Sequence, residues 1–165
     1  MYVPQEDSYL LKSVVKDYAR GKVLDMGTGS GIIAIEANKY ADFVLAVDID
    51  QESVNHTKKQ GINTIKSNLF SNITEKFDVI FFNPPYLPCE GKIKYTDLEA
   101  KKGGSAVVSE FLKQAKKHLQ KNGKIILILS SLTNKKDLFK GYEKKIIAKK
   151  KMFFEKLYVY ELKLK

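Results

Sequence analysis

Five short segments along this chain have the pattern of strands, and the continuous apolar runs among them are typical of strands that are buried on both faces. They are KVLDM (22–26), FVLAVDI (43–49), INTIK (62–66), FDVIFF (77–82) and KIILILS (124–130). Near the end, 143–164 has the pattern of two further strands joined by a turn or bulge near Lys150–Glu155. No long helix separates these two strands, so they are predicted to pair antiparallel at one edge of the sheet. Phe153 and Phe154 are expected to pack at the end of this hairpin; the alternative is a binding platform.

Segments with apolar residues at helical spacing alternate with the strands. The predicted helices span 7–19, 31–41, 51–60 and 105–121, with a short one within 135–142. Asp7 or Ser8 is expected to cap the first helix, because both residue types accept bonds from helical N–H groups. This alternation predicts an α/β fold, a mostly parallel sheet that helices cover on both faces.

Length and composition limit the class of protein. A chain of 165 residues is expected to form one domain, 1–165, with a real core. No apolar run approaches the ~20 residues of a membrane span, and the first residues lack the basic cluster of a signal peptide. Cys89 is the only cysteine, which favours a cytoplasmic protein. His56 and His118 are far apart, so no metal site is expected.

The net charge of +10 is concentrated in the last third of the chain. Residues 111–165 contain 16 Lys and 4 acidic residues, a balance of +12, whereas residues 1–110 contain 13 basic and 15 acidic residues, a balance of −2. The basic segment would attract nucleic acid or a ribonucleoprotein. The alternative is a lysine-rich surface without such a partner, because 28 of the 29 basic residues are Lys and Arg is the better fork for phosphates.

The segment VLDMGTGSG (23–31) places three glycines between a predicted strand and a predicted helix. Such a turn lets the backbone approach a ligand closely. The next strand ends in AVDID, where an acid such as Asp48 accepts bonds from ribose hydroxyls. Asp25, two residues before Gly27, would repel a pyrophosphate but would attract the amino group and sulfonium of S-adenosylmethionine (SAM). The pattern therefore favours SAM over a dinucleotide.

The strand FDVIFF runs directly into Asn83, Pro84, Pro85 and Tyr86. Proline cannot donate to a strand ladder, so the strand is predicted to stop at Asn83, and Pro84 holds that residue extended. The result is a fixed amide and rigid carbonyl groups at the tip of a buried strand. A plain turn is the alternative meaning of an Asn-Pro pair. Cys89, just beyond, has no His nearby and is expected to be an ordinary loop cysteine.

Four motifs resemble, in order and spacing, those of the class I SAM-dependent methyltransferases. They are VLDMGTGSG, AVDID, SNLF (67–70) and NPPY (83–86). VPQEDSYLL (3–11) and KKKMFFEKLYVYEL (149–162) are similar to the two ends of the HemK-like glutamine methyltransferases of archaea and eukaryotes, which act on translation release factors. The resemblance implies a Rossmann-like fold with a seven-stranded sheet and a C-terminal antiparallel hairpin. It also implies the absence of the N-terminal helical domain of the bacterial enzymes.

The resemblance implies a role for each candidate site residue. The residues that would hold SAM are Ser8, Asp25, Gly27, Gly29, Asp48, Asn68, Leu69 and Asn83. Asp48 would take the ribose hydroxyls, and Asn68 stands at the adenine where the family usually has Asp. Asn83, Pro84 and Tyr86 would hold the acceptor amide, whose delocalised lone pair makes it a poor nucleophile. Acceptors for its N–H groups would orient this amide and stabilise the positive charge that develops on it.

The resemblance implies two protein partners and leaves two other functions open. The substrate would be the Gly-Gly-Gln segment of a class I release factor, and a small zinc-binding activator would add to the edge strand Ile62–Lys66. Ile62 and Ile65 are expected to lie uncovered there, because no helix follows to cover them. The NPPY motif is also compatible with N6 methylation of adenine in DNA or RNA, and Asn68 with a non-catalytic SAM-fold subunit.

Overall fold

A computed structural model describes residues 3–85 and 105–165. The elements in these two ranges are α1 (Glu6–Tyr18), β1 (Lys22–Met26), α2 (Ile32–Ala37), β2 (Phe43–Asp48), α3 (Gln51–Lys59), β3 (Asn63–Lys66), β4 (Phe77–Phe82), α4 (Ser105–Ala115), β5 (Leu119–Ser130), β6 (Tyr142–Lys151) and β7 (Lys156–Leu164). Every strand that the apolar runs predicted is therefore present, and the strand bounds differ from the predictions mainly at β5, which begins five residues earlier.

The seven strands form one sheet in the order β3-β2-β1-β4-β5-β7-β6. The first five strands in this order are parallel neighbours, whereas β7 is antiparallel to both β5 and β6. The strand order reverses between β1 and β4, and ligands of open α/β sheets bind at such a switch point, outside the carboxyl ends of the strands. The prediction of a mostly parallel sheet with an antiparallel C-terminal pair is confirmed.

Alternate side chains of the central strands enter two separate core layers. In β5, Ile126 and Ile128 belong to the layer that contains residues of α1 and α2, while Leu127 and Leu129 belong to the layer that contains residues of α4. All four side chains are fully buried. Because helices cover both faces, the strand reads in the sequence as a continuous apolar run.

The first helix has a different cap from the one predicted. Its N-cap residue is Gln5, which makes no side-chain cap bond, so the prediction of Asp7 or Ser8 as the cap is wrong. Both residues lie within the first turn and are buried, 7% and 3% exposed. Their side chains instead contact Asn83, which follows β4. A tertiary contact therefore takes the place of the local cap.

Three other predicted helices are shorter or absent. The helix predicted over 31–41 spans only Ile32–Ala37. The helix predicted over 105–121 ends at Ala115, because Leu119 already pairs with β4 as the first residue of β5. The segment 135–142 contains turns instead of the predicted helix. Asp137 in this segment has a φ of 57°, a left-handed conformation that interrupts a right-handed helix.

The two edges of the sheet are β3 and the hairpin strand β6, as predicted. The prediction that Ile62 and Ile65 lie uncovered is wrong, because Ile62 is 6% exposed within the core layer beside α1 and α2, and Ile65 is half-buried against the other layer. The prediction that Phe153 and Phe154 are packed is also wrong, since they are 91% and 86% exposed. In the part of the chain that the structure describes, no helix is long and apolar enough to cross a membrane.

Candidate active site

The predicted site residues meet at one end of the sheet, where the parallel strands β1 to β4 have their carboxyl ends. Asp25 is the penultimate residue of β1, Asp48 ends β2, and Asn83 directly follows β4. Met26, the last residue of β1, pairs with β2 on one side and β4 on the other. The two acids and the amide are therefore brought together by strand register and not by proximity in the sequence.

The loop after β1 turns tightly, with glycines in the left-handed backbone region. Gly27 has a φ of 66° and Gly31 a φ of 82°, values that residues with a side chain rarely adopt. A Cβ atom at Gly31 would also lie 3.0 Å from the Thr57 hydroxyl oxygen, closer than ordinary contact. At Gly27 a Cβ would fill the space beside the Phe82 ring, 3.5 Å away. Glycine thus leaves room between this loop and the end of β4.

Asp25 is buried beneath the glycine loop and holds it in place. One of its carboxylate oxygens accepts hydrogen bonds from the Thr28 hydroxyl at 2.7 Å and from the Ala34 N–H at 3.2 Å. Burial raises the pKa of Asp25 to about 7; the two hydrogen bonds oppose this shift, and the charge of nearby Asp48 adds to it. A cationic group placed beside this carboxyl would favour its ionised form.

Asp48 connects the end of β2 with the same loop. One carboxylate oxygen accepts from the Gly29 N–H at 2.9 Å, and the other accepts from the Asp50 N–H at 2.8 Å. Burial raises the pKa of Asp48 against the effect of these bonds. Asp50 has a different task, because its side chain caps α3 by accepting from the Ser53 N–H at 2.9 Å. The Asp48 carboxylate is therefore the one that lies against the glycine loop.

The loop after β3 carries the next two candidates, Asn68 and Leu69. Leu69 has a φ of 48°, which is strained for a branched, bulky side chain. The buried Ser67 hydroxyl donates to the Leu69 carbonyl at 2.7 Å and so fixes this conformation. Asn68 is exposed beside it. The strain is located where a ligand at the carboxyl end of β3 would lie, which is common at binding sites.

Asn83 is held from one side by the first turn of α1. Its Nδ2 donates to Asp7 Oδ2 at 3.1 Å and to Ser8 Oγ at 3.5 Å. Asp7 Oδ1 in turn accepts from the Ser8 N–H at 2.6 Å. The Oδ1 atom of Asn83 is buried and has no hydrogen-bond partner among the described residues. A buried acceptor left unpaired costs about 1–3 kcal/mol, so a donor supplied by a ligand would be stabilising here.

Nine of the ten predicted site residues lie at this end of the sheet. They are Ser8, Asp25, Gly27, Gly29, Asp48, Asn68, Leu69, Asn83 and the buried Pro84. Tyr86 lies outside the described residues, as does Cys89. Asp7 could not be recognised as a site residue from the sequence, because an acid at the start of a helix has the pattern of an ordinary cap. Within 3–85 and 105–165, no group of His, Cys, Asp and Glu side chains could hold a metal ion.

Comparison with known proteins identifies a family. Residues 5–155 match the family model described as the methyltransferase small domain. The "Putative protein N5-glutamine methyltransferase" of Methanocaldococcus jannaschii is 35% identical over 176 residues, which cover 96% of this chain and 89% of that protein. The release factor glutamine methyltransferase of Lactococcus lactis is 35% identical over 124 residues, which cover 64% of this chain. The match spans 46% of the L. lactis protein, less than half its length.

Solved structures share the fold over nearly the whole chain. A chain of the E. cuniculi Mtq2–Trm112 complex, described as responsible for methylation of the eRF1 translation termination factor, matches with a TM-score of 0.79. The identity is 24%, and the match covers 99% of this chain and 98% of that one. A SAM-dependent methyltransferase from Bacteroides fragilis, solved with S-adenosyl-L-homocysteine, has a TM-score of 0.68 at 18% identity and covers 98% of this chain and 82% of that one. At these identities the likeness shows the fold alone.

Proposed function

Because the chain belongs to the methyltransferase small domain family and is a SAM-dependent methyltransferase, we propose that it methylates the side-chain amide of a glutamine in a translation release factor. The M. jannaschii and L. lactis relatives carry the names of glutamine methyltransferases, and the second name specifies release factors. The observation that carries the proposal is the buried Oδ1 of Asn83 at the end of β4, which has no hydrogen-bond partner among the described residues.

The residues around the glycine loop fit SAM. Asp25 and Asp48 both have raised pKa values, so a ligand with a cationic amino group and ribose hydroxyls would stabilise their charged forms. Gly27 leaves space beside the Phe82 ring, at the end of β4. Asn68 and Leu69 would border the adenine. When bound, SAM supplies an electrophilic methyl group on a sulfonium.

The acceptor site would work by orientation. A glutamine amide nitrogen is a poor nucleophile, because its lone pair is delocalised into the carbonyl. Asn83 Oδ1 and the Pro84 carbonyl would accept its two N–H bonds, turn the lone pair toward the methyl group, and stabilise the positive charge that grows on nitrogen. Once the nitrogen had taken the methyl group and the sulfur–methyl bond had broken to leave a neutral thioether, the nitrogen would lose one proton to water. Tyr86 would form a flat wall beside the planar amide.

Asp7 and Ser8 would decide which end of the Asn83 amide faces the substrate. Both accept hydrogen bonds from Nδ2, so they bind the NH2 group, which is the donor end of the amide. The oxygen end is then presented to the substrate. A carboxylate acceptor makes this preference stronger than a neutral one would, because hydrogen bonds to charged groups contribute about 1.5–3 kcal/mol. In this proposal Asp7 is a positioning residue for Asn83.

Mass spectrometry distinguishes this function from its alternatives. The purified release factor of the same organism is incubated with SAM and the enzyme, and the Gly-Gly-Gln peptide is examined for one added methyl group on glutamine. An adenine-containing RNA and DNA oligonucleotide are treated in parallel, because the basic residues of 111–165 and the same acceptor geometry also suit adenine N6. Methylated adenine with unmodified glutamine would overturn the proposal. SAM binding without transfer to any of them would indicate a non-catalytic subunit.

A small zinc-binding partner at β3 extends the proposal. Within the described part of the chain, β3 pairs with β2 alone, and Asn63 and Lys66 at its two ends are exposed. Since Ile62 is buried, the partner would add through backbone hydrogen bonds to this edge and through the half-buried Ile65. The similar E. cuniculi structure is itself a two-protein complex.

A further inference from the structure

Two phenylalanines in the turn between β6 and β7 are almost fully exposed. Phe153 is 91% and Phe154 86% exposed, and we call this pair the aromatic tip. Their ring centroids lie 4.6 Å apart, with an angle of 88° between the ring planes. Two adjacent aromatic rings in water form an apolar surface that folding leaves uncovered, and such surfaces typically mark interaction sites.

The aromatic tip stands on a turn that is tied to β5. Within the turn, the Met152 N–H donates to the Glu155 carbonyl at 2.8 Å. The Glu155 carboxylate accepts from the Ser130 hydroxyl. Next to it, the Ser131 N–H donates to the Lys156 carbonyl at 2.7 Å, and the Lys156 N–H donates to the Ser131 hydroxyl at 3.0 Å. The base of the pair is therefore fixed in advance, which lowers the entropy cost of binding through it.

The aromatic tip projects from the same end of the sheet as the candidate active site. β4 ends at Phe82, which pairs with Leu127, but β5 continues to Ser130, which pairs with Leu157 at the start of β7. Three further residues extend β5 by ~10 Å, and two strand spacings separate β7 from β4 by another ~10 Å. A macromolecule whose acceptor group reaches Asn83 would therefore pass within reach of the aromatic tip.

Lysines border the aromatic tip. Lys149, Lys151 and Lys156 are exposed, and among the described residues none of them has an ion-pair partner, whereas Lys150 pairs with Glu6. The border therefore has a net positive charge and is complementary to acidic groups. Because the two rings are nearly perpendicular, they do not offer parallel faces for successive bases. They form an apolar corner that suits an aliphatic or aromatic side chain of a protein.

We propose that the aromatic tip is the docking surface for the body of the protein substrate, outside its glutamine-bearing segment, and that the matching surface is apolar and bordered by acidic residues. This inference rests on the proposed glutamine methyltransferase function. The aromatic tip contributes substrate affinity, whereas Asn83 and its neighbours act on the bound amide. Methylation of the whole substrate protein should therefore depend on the aromatic tip, whereas methylation of a short peptide should not.

Kinetics with two substrates tests the inference. The double variant Phe153→Ala with Phe154→Ala is compared with wild type on the full-length release factor and on a synthetic peptide containing its Gly-Gly-Gln segment. We expect KM for the full-length protein to rise about tenfold or more, with kcat unchanged, and kcat/KM for the peptide to stay within about twofold. Lys151→Glu with Lys156→Glu should also raise KM for the protein, and more strongly at low salt. Tyr40→Ala, an exposed aromatic at the opposite end of the sheet, is the matched control.

Binding measurements keep this inference separate from the proposed function. The affinity of each variant for the fluorescently labelled release factor is measured without turnover. Weaker binding by the aromatic variant supports docking even if wild type transfers no methyl group, an outcome that would overturn only the proposed function. Unchanged affinity, or equal losses on protein and peptide, would overturn the docking inference. So would a loss of affinity for a labelled single-stranded RNA with release factor binding intact.

Discussion

The side-chain amide of Asn83 donates a hydrogen bond to the carboxylate of Asp7 at 3.1 Å, although 76 positions separate the two residues in the chain. One residue lies in the first turn of α1 and the other follows β4. The contact uses the nitrogen of the amide and leaves its buried oxygen without a partner in the described part of the chain. The first turn of α1 thus binds the nitrogen of the Asn83 amide and leaves the amide oxygen at the end of β4.

Replacing Asn83 with Ala should separate binding from chemistry. We expect methyl transfer to fall by about 10²-fold or more, because one acceptor that stabilises charge in the transition state is lost. SAM binding should stay within a few-fold of wild type. Single-turnover assays measure the first quantity and calorimetry the second. Asn55→Ala, on the exposed face of α3, is the control, and near-normal turnover of the Asn83 variant would refute the assignment.

Asp7→Asn tests whether the carboxylate orients the Asn83 amide. The neutral side chain keeps the volume but offers no charged acceptor, so part of the population should present the wrong end of Asn83. A lost charge-assisted bond is equivalent to a roughly 10- to 100-fold decrease in kcat. KM for SAM should not change, whereas a general structural defect would change KM for SAM as well. Asp17→Asn, an exposed acid on the same helix, should behave as wild type, and equal losses in both variants would argue against positioning.

The strands and their topology class could be predicted from the sequence, because the physical cause is local. In β5, neighbouring side chains such as Leu127 and Ile128 enter opposite core layers. The continuous apolar run in the sequence therefore indicates that both faces of the strand are buried. The glycine loop and the end of β4 could be predicted for the same reason. Positive φ at Gly27 and the stop at Pro84 are properties of single residues.

The features that the sequence did not predict depend on distant contacts. Asp7 has the pattern of a helix cap, and only the position of Asn83 shows that its carboxylate is used elsewhere. The helical pattern after Ala115 continues in the sequence, but pairing of Leu119 with β4 ends the helix. Phe153 is apolar, yet the hairpin carries it beyond the end of the core. In each case, tertiary geometry overrides a local preference.

The two acids at the end of β2, Asp48 and Asp50, should contribute differently to binding and to stability. Asp48→Ala is expected to weaken SAM binding by roughly 1.5–3 kcal/mol, because a charged acceptor beside the glycine loop is removed. Asp50→Ala should instead destabilise α3 by about 1 kcal/mol, since its side chain caps that helix. Calorimetry measures the affinity and urea denaturation the stability. A larger loss of affinity in the Asp50 variant would reverse the assignment.

The raised pKa of Asp25 makes stability depend on pH in a defined direction. Burial raises this pKa to about 7, from 3.8 for an exposed carboxyl. Between these two values the folded state holds a proton that the unfolded state has released. The contribution of protonated Asp25 to the free energy of unfolding therefore decreases as pH rises and is lost above about pH 7. The free energy of unfolding changes by up to about 4 kcal/mol over this range.

Asp25→Asn should remove this dependence. Both hydrogen bonds from Thr28 and Ala34 end on the same carboxylate oxygen, so the amide oxygen can still accept them. We expect the free energy of unfolding of the ligand-free variant to change less than that of wild type between about pH 5 and pH 8. Urea denaturation across this range measures it, with Asp17→Asn as the control. A variant with the same pH profile as wild type would show that Asp25 does not titrate in this window.

The edge strand β3 provides the last prediction. If a small zinc-binding protein adds to this edge, the chain alone should be weakly active or poorly soluble, and co-expression with that protein should restore both. Ile65→Pro should abolish the complex, because proline cannot continue a backbone ladder. Ile146→Pro, at the exposed opposite edge in β6, should leave the complex intact and controls for the general effect of proline in an edge strand. Size-exclusion chromatography with light scattering on the mixed proteins measures complex formation. A fully active monomer that does not bind the partner would refute the role proposed for β3.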